Sequence, residues 1–360
     1  MTTTTDIINR ALQVIGTRTT VTDAEVAGNT TNEAIQANLI IDNIRRRLLR
    51  MAPWDCALKT ANLVYISSVA GTPENTSPAT ALWQPGQPSP PWAYEYQYPV
   101  DCLRACWIIP ATQTGFAGGV PVTTAVTGGA PSFWQGPPVS YKVQTDLFRP
   151  VTAAAIASGG SGYAIGDFIT LVSGDSTLPP IGAPAVLLVT GVSGGVITSA
   201  SVVNQIPGAA VVGGSYFDVQ TNPVAQGSTT GSGTGATFNL TQGSPAPQRV
   251  ILCNQEYAAM VYVQDVTDPN IMDDLFQDSW VKILAASLCM ALTGDKKLAN
   301  AAVQMANLSI EQARASDGNE GLTINDHTPD WIRIRGIDFP QAYSGPYIGM
   351  DWGSLWPAFG

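Results

Sequence analysis

Near both ends of this chain apolar residues recur with the 3.6-residue spacing of a buried helix face. Between the ends they alternate or run in short blocks, as strands do. Ile8, Ala11, Leu12 and Ile15 share one face, which predicts a helix over 5–16 stopped by Gly16. Ala37, Ile40, Ile41, Ile44, Leu48 and Met51 mark a second helix over 31–51, closed ahead of Pro53. Thr30 and Glu33 have the spacing of a capping box at its start, and Asp42 and Arg46 the spacing of a helical ion pair. Toward the C-terminus, Phe276, Trp280, Ile283, Leu284, Leu288 and Ala291 predict a helix over 269–292, with Asp268 as cap and Pro269 in its first turn. Thr293, Gly294 and Asp295 break it. Leu298, Ala302, Met305 and Leu308 predict a fourth helix ending near 317.

Residues 60–66, 94–109 and 139–145 read as strands, separated by a Pro-rich loop over 67–91 and a Gly/Pro-rich loop over 110–138. The 98 positions of 151–248 hold no Lys or Arg and three acids, Asp167, Asp175 and Asp218. Phe168–Val172, Ala185–Val192, Val196–Val203 and Ala236–Leu240 are apolar runs broken by glycine-rich turns, the pattern of a small all-β module.

The ends carry strings that say more. Asp6–Gly16 reads D-I-I-N-R-A-L-Q-V-I-G, and Asn38–Ala57 reads N-L-I-I-D-N-I-R-R-R-L-L-R-M-A-P-W-D-C-A. Tyr98–Arg104 reads Y-P-V-D-C-L-R, and Thr267–Leu288 reads T-D-P-N-I-M-D-D-L-F-Q-D-S-W-V-K-I-L-A-A-S-L, with L-T-G-D at Leu292–Asp295. In this order around a β-rich centre they resemble the tail tubular protein A family, the head-to-tail adaptors (connectors) of short-tailed bacteriophages. The resemblance covers roughly 5–66, 92–109 and 250–320. The glycine-rich strings of 151–248 resemble a β module inserted in various phage virion proteins.

The expected fold is therefore α+β. An N-terminal helical hairpin (1–57) and a return strand with a C-terminal hairpin (249–320) build one helical bundle. A β domain with long loops spans 58–150, the inserted all-β module 151–248, and an extended aromatic arm 321–360. The resemblance implies a virion structural protein in the phage neck, made in the host cytoplasm. Its copies form a homo-oligomeric ring of about twelve (a dodecamer) between the portal protein and the tail nozzle or tube protein, with tail fibres as a further partner. DNA would pass through the lumen at ejection without sequence-specific binding. The inserted module is expected to be peripheral. The alternative is a glycan-binding or glycan-degrading tail protein built on that module.

Composition narrows the classes. Only 12% of residues are charged against 45% hydrophobic, which suits a protein packed against neighbours. The net charge of −10 gives no overall basic face for gripping DNA, and a channel along which DNA slides needs none. No apolar run predicts a membrane span, and Met-Thr-Thr-Thr-Thr-Asp predicts no signal peptide. Cys56, Cys102, Cys106, Cys253 and Cys289 are scattered and odd in number, as for reduced, buried thiols.

The residues do not spell out catalysis, and neither an enzyme, a cofactor nor a metal is expected. The single histidine, His327, lies in the predicted arm. Gly294–Lys297 (G-D-K-K) lacks the rest of a phosphate-binding loop and reads as a hairpin turn. Asp273 and Asp274 open a helix, where acids complement the dipole. Two features point to partners instead. Arg45, Arg46, Arg47 and Arg50 form a basic cluster that reads as a solvated face with local ion pairs, as a subunit contact, or as a DNA contact. The arm carries Trp331, Phe339, Tyr343, Tyr347, Trp352, Trp356 and Phe359, seven aromatics in 40 residues against 29 in 360 overall. Such large, stiff anchors suit docking on another protein, and folding back on the chain itself is the other reading.

Overall fold

The computed structural model describes residues 2–17, 20–68, 87–117, 120–125, 133–134, 138–172, 182–206 and 212–320. Helix and strand are mixed, with one large curled sheet. Two compact units divide the chain. One comprises Met1–Lys59, Leu103–Cys106 and Tyr262–Gly360, the other Thr60–Cys102 and Trp107–Val261.

In the first unit the described helices are α1 (Thr4–Val14), α2 (Asp23–Gly28), α3 (Asn32–Met51), α4 (Asp274–Leu292) and α5 (Lys296–Glu320). Both ends of the chain meet in one core. Ile7, Ile8, Ala11 and Leu12 of α1, Ile41, Ile44 and Leu48 of α3, Phe276, Trp280, Leu284 and Leu288 of α4, and Ile310 and Ala313 of α5 are buried together. Trp54, just past α3, sets its ring edge-on to Phe276 (centroids 5.1 Å apart) and donates Nε1–H to the Leu48 carbonyl at 2.9 Å. By length and composition α4, with mean hydropathy 1.3, is the one described helix apolar enough to cross a membrane. The sequence predicts a helix here and no membrane span. Its large side chains are the centre of this core.

Several helix details depart from expectation. Helix α3 is capped by Thr31, whose Oγ1 accepts from the Ala34 N–H at 3.3 Å, so Thr30 and Glu33 form no capping box. Capping boxes occur at Thr3/Asp6 and at Thr22/Glu25, the second opening the unpredicted α2. Asp268 caps only a 3-10 turn, Pro269–Ile271. The α-helix starts five residues later than predicted, with Asp273 accepting from the Leu275 N–H at 3.0 Å. Met51, Ala291, Met305 and Leu308 are exposed. On α5, Ala302 is buried and Leu298 packs against the core as expected, and Ala299, Ala306, Ile310 and Ala313 complete the stripe, mostly small residues that allow close helix approach.

The described strands are β1 (Leu58–Asn62), β2 (Tyr65–Ser68), β3 (Tyr94–Gln97), β4 (Cys102–Ala117), β5 (Val120–Ala125), β6 (Phe133–Trp134), β7 (Tyr141–Ser161) and β8 (Phe168–Leu171), followed by β9 (Gly182–Ala183), β10 (Val186–Ser193), β11 (Val196–Val202), β12 (Gly213–Tyr216), β13 (Val224–Thr229), β14 (Thr234–Gln242), β15 (Ala246–Cys253) and β16 (Ala258–Gln264). The expected loop over 110–138 is partly sheet, since Thr112–Ala117 of β4 pairs antiparallel with Val120–Ala125 of β5. The smaller sheet has the order β1-β16-β4-β5, with β6 beside β4. The larger sheet, within the second unit, runs β11-β10-β8-β13-β14-β7-β15-β3-β2, with β12 beside β7 and β9 beside β12.

Strand β7 is the spine of the larger sheet and crosses the boundary expected at 150/151. It pairs with β15 through Tyr141–Phe148 and with β14 through Val151–Ser161. Residues 151–240 nonetheless own a core, in which Val151, Ile169, Leu187, Tyr216, Phe238 and Leu240 are buried together. The glycine-rich strings meet face to face there. Tyr163 lies against Gly233, where a Cβ would come 2.2 Å from the Tyr163 ring, and Gly160 takes φ +59° beneath Thr234. A second, smaller core joins Ile66, Phe148, Val250 and Leu252 to Ala183 of the module.

Candidate functional site

The arginine cluster is divided by the twist of α3. Arg45 points inward and is 2% exposed. Its guanidinium contacts Asp42 at 3.4 Å, Asp265 at 2.5 Å and the Val266 carbonyl at 2.5 Å. A buried guanidinium survives only with such a full set of acceptors. Arg45 thus ties α3 to the segment after β16, and its role is structural. Arg46, half-exposed, pairs with the other Asp265 oxygen at 3.0 Å and not with Asp42 as its spacing suggested. Arg47 and Arg50 point to solvent. Arg104 joins them, donating from Nη1 to the Arg50 carbonyl at 3.2 Å. Sequence inspection had no means of adding Arg104, which lies 54 residues away on β4.

The seven aromatics of the arm, Trp331, Phe339, Tyr343, Tyr347, Trp352, Trp356 and Phe359, and His327 lie outside the described residues. Gly294–Lys297 forms the α4–α5 turn. Gly294 has φ +67°, and the Asp295 carboxylate accepts from the Lys297 N–H at 2.8 Å. None of the five cysteines is in a disulfide. Burial pushes the Cys253 thiol up to about 11 and raises Cys56 and Cys106, which suits unreactive thiols. No group of His, Cys, Asp or Glu among the described residues is placed to hold a metal ion. An open groove of about 630 Å³ follows α1 past Asp6, Asn9, Arg10 and Gln13. Asp6 is spent on the α1 cap, and Asn9 is spent on both backbone groups of Val21.

The second unit holds a buried polar row that sequence inspection missed. Glu95 of β3 is fully buried, and the Ser67 hydroxyl donates to its Oε2 at 2.9 Å. Its Oε1 has no partner among the described residues. Burial, with Asp146 adding repulsion, pushes the Glu95 carboxyl up to about 7 against the pull of Ser67. Two residues on, Gln97 donates to the Ser215 hydroxyl at 3.1 Å, and that hydroxyl donates to Gln248 Oε1 at 2.5 Å. Ser215 belongs to β12, so this chain of hydrogen bonds fastens the module to β3 and β15. Only the alternation Y-E-Y-Q, with Glu95 and Gln97 on one strand face, hinted at it.

No family model matches the chain, and no curated protein matches it.

Proposed function

We propose that this chain is a virion structural protein, the ring-forming head-to-tail adaptor that joins portal to tail nozzle and continues the DNA channel of a short-tailed bacteriophage. One observation carries the reading. The motifs that resemble tail tubular protein A lie toward opposite ends of the sequence, on α1 and α3 and on α4, and their apolar residues share one core. Such an adaptor needs both ends in one helical bundle. The residues of 151–248 form an elaboration, and the aromatic arm reaches a partner. The arm and the exposed faces of the helices are the proposed contact surfaces.

The proposed action is mechanical and has no chemical step. Each subunit buries surface against two neighbours, so the ring has no free edge. An acidic chain gives sliding DNA little to adhere to. Cryo-electron microscopy of the purified protein mixed with its portal tests this directly. A ring of subunits coaxial with the portal is expected. No binding to the portal, together with release of sugars from cell-wall or capsule polysaccharide, would replace this reading with the glycan one.

A further inference from the structure

Two exposed faces of the helical unit carry opposite chemistry. On α3, Ile35, Leu39 and Arg50 lie within about 60° of one another around the helix, along roughly 22 Å. Ile35 is 40% and Leu39 65% exposed. Arg46, paired with Asp265, and the exposed Asp42 lie on this face as well, and Arg47 lies about 60° beyond Arg50 around the helix; Arg47, Arg50 and Arg104 have no acid partner among the described residues. Arg45, Arg46, Arg47, Arg50 and Arg104 outnumber Asp42 and Asp265, so this region gains from an acidic partner. The second face is the segment leading into α4. There Ile271 is 60% and Leu275 40% exposed, set among exposed Asp268, Asp273 and Asp274. Asp268 and Asp273 each accept a capping N–H.

We infer that these faces dock on each other between copies. The apolar and basic face of α3 in one copy meets the apolar and acidic segment 268–275 of a second copy. Each face carries two exposed aliphatic side chains and an excess of charge, with opposite signs on the two sides. The aliphatic pairs supply buried area, and the charges set register and speed encounter. A nucleic-acid phosphate chain would use the arginines but leave Leu39 facing a polyanion, and it would leave the acidic segment uncovered. A contact between unlike faces is heterologous and propagates until rotation closes it. The inference deepens the ring-forming reading and rests on it.

The test uses the full chain and sedimentation velocity. Wild-type protein is expected to self-associate at low salt and to loosen as salt rises. Arg47→Glu with Arg50→Glu, and separately Asp268→Arg with Asp274→Arg, should each weaken association at least ~tenfold. A one-to-one mixture of the two variants should assemble again, because each reversed face then finds its complement. Asp274→Arg alone, which touches no cap, serves if the double variant is unfolded by circular dichroism. Reversed variants that assemble as tightly as wild type overturn the pairing and leave the ring standing. Duplex DNA binding that is lost in Arg47→Glu/Arg50→Glu, with self-association unchanged, overturns it in favour of a phosphate-binding face. Wild-type protein that associates neither alone nor on the portal removes the ring and the pairing together.

Discussion

Neighbouring arginines on one helix have opposite fates, and their exposure decides which. Removing the buried Arg45 strands the Val266 carbonyl and leaves Asp265 with one partner in place of two, while the exposed Asp42 stays solvated. Arg45→Ala is expected to cost about 3–5 kcal/mol in urea titration. Arg46→Ala, at an exposed position beside the same Asp265, is expected to cost under about 1 kcal/mol. Equal losses would show that Arg45 is not the inner tie. Glu95 gives a pH signature. Its folded pKa of about 7 lies above the ordinary 4.5. Below about pH 4.5 both the folded and unfolded forms hold the proton, and the group contributes no difference. Between about 4.5 and 7 only the folded form keeps it, so stability falls as pH rises and the loss is complete above 7. The shift corresponds to about 3 kcal/mol. Denaturant melts of the wild type at pH 5 and 8 should show this fall, and Glu95→Gln should flatten it. An unchanged slope in Glu95→Gln would place the titration elsewhere.

At the scale of elements, α4 is the piece on which the helical core depends. Trp280 is 1% exposed, between α4's buried neighbours, and its indole N–H has no partner among the described residues. Trp280→Ala is expected to destabilise by roughly 3–5 kcal/mol, mostly through the cavity. Trp280→Phe keeps a ring and removes the orphan donor, so it should cost clearly less. Calorimetric melts rank the two, and the opposite ranking would mean that the N–H is satisfied. Helix periods were legible for α1, α3 and α4, where large side chains mark the buried face. On α5 they misled. Its buried face is mostly alanine, with Ser309 and Ile310, and its Met305 and Leu308 are exposed, because against α4 the room for side chains decides, not hydrophobicity alone. Helix α2 carried the readable signal Thr22-Asp23-Ala24-Glu25, but its six residues bury no side chain and leave no stripe.

For the whole molecule, the structure changes what to expect of residues 151–248. Replacing them by a Gly/Ser linker would cut β7 in mid-strand, take Ser215 from Gln97 and Gln248, and strip Ala183 from the core around Phe148. Burying those amides unpaired, or wetting that core, costs stability. The shortened protein should therefore melt at a visibly lower temperature, although sequence alone suggested a dispensable appendage. An unchanged melt would show that the hydrogen-bonded tie carries no weight. The arm remains a separate proposal, drawn from its aromatics. Truncation after Gly321 is expected to leave the helical signal intact and weaken docking on isolated portal rings at least ~tenfold, since aromatic anchors each supply about 2 kcal/mol or more. Equal affinity of the truncated and full chains, at matched concentration, would refute it.

What the chain determines by itself is local. Apolar spacing set three of the helices, β-rich runs with glycine turns set most of the strands within 151–248, and Gly294-Asp295 set the α4–α5 turn. Each of these depends on residues a few positions apart. What only the tertiary structure decided is non-local. Arg45 was separated from Arg47 and Arg50 by which side of α3 met Asp265, 220 residues away. Arg104 was brought to the Arg50 carbonyl, and Glu95 was buried beside Ser67, by strand pairing. The extent of β7 across an apparent domain boundary was set by β14 and β15 lying along it. Burial and charge pairing depend on which segments come together, and local sequence does not encode that choice.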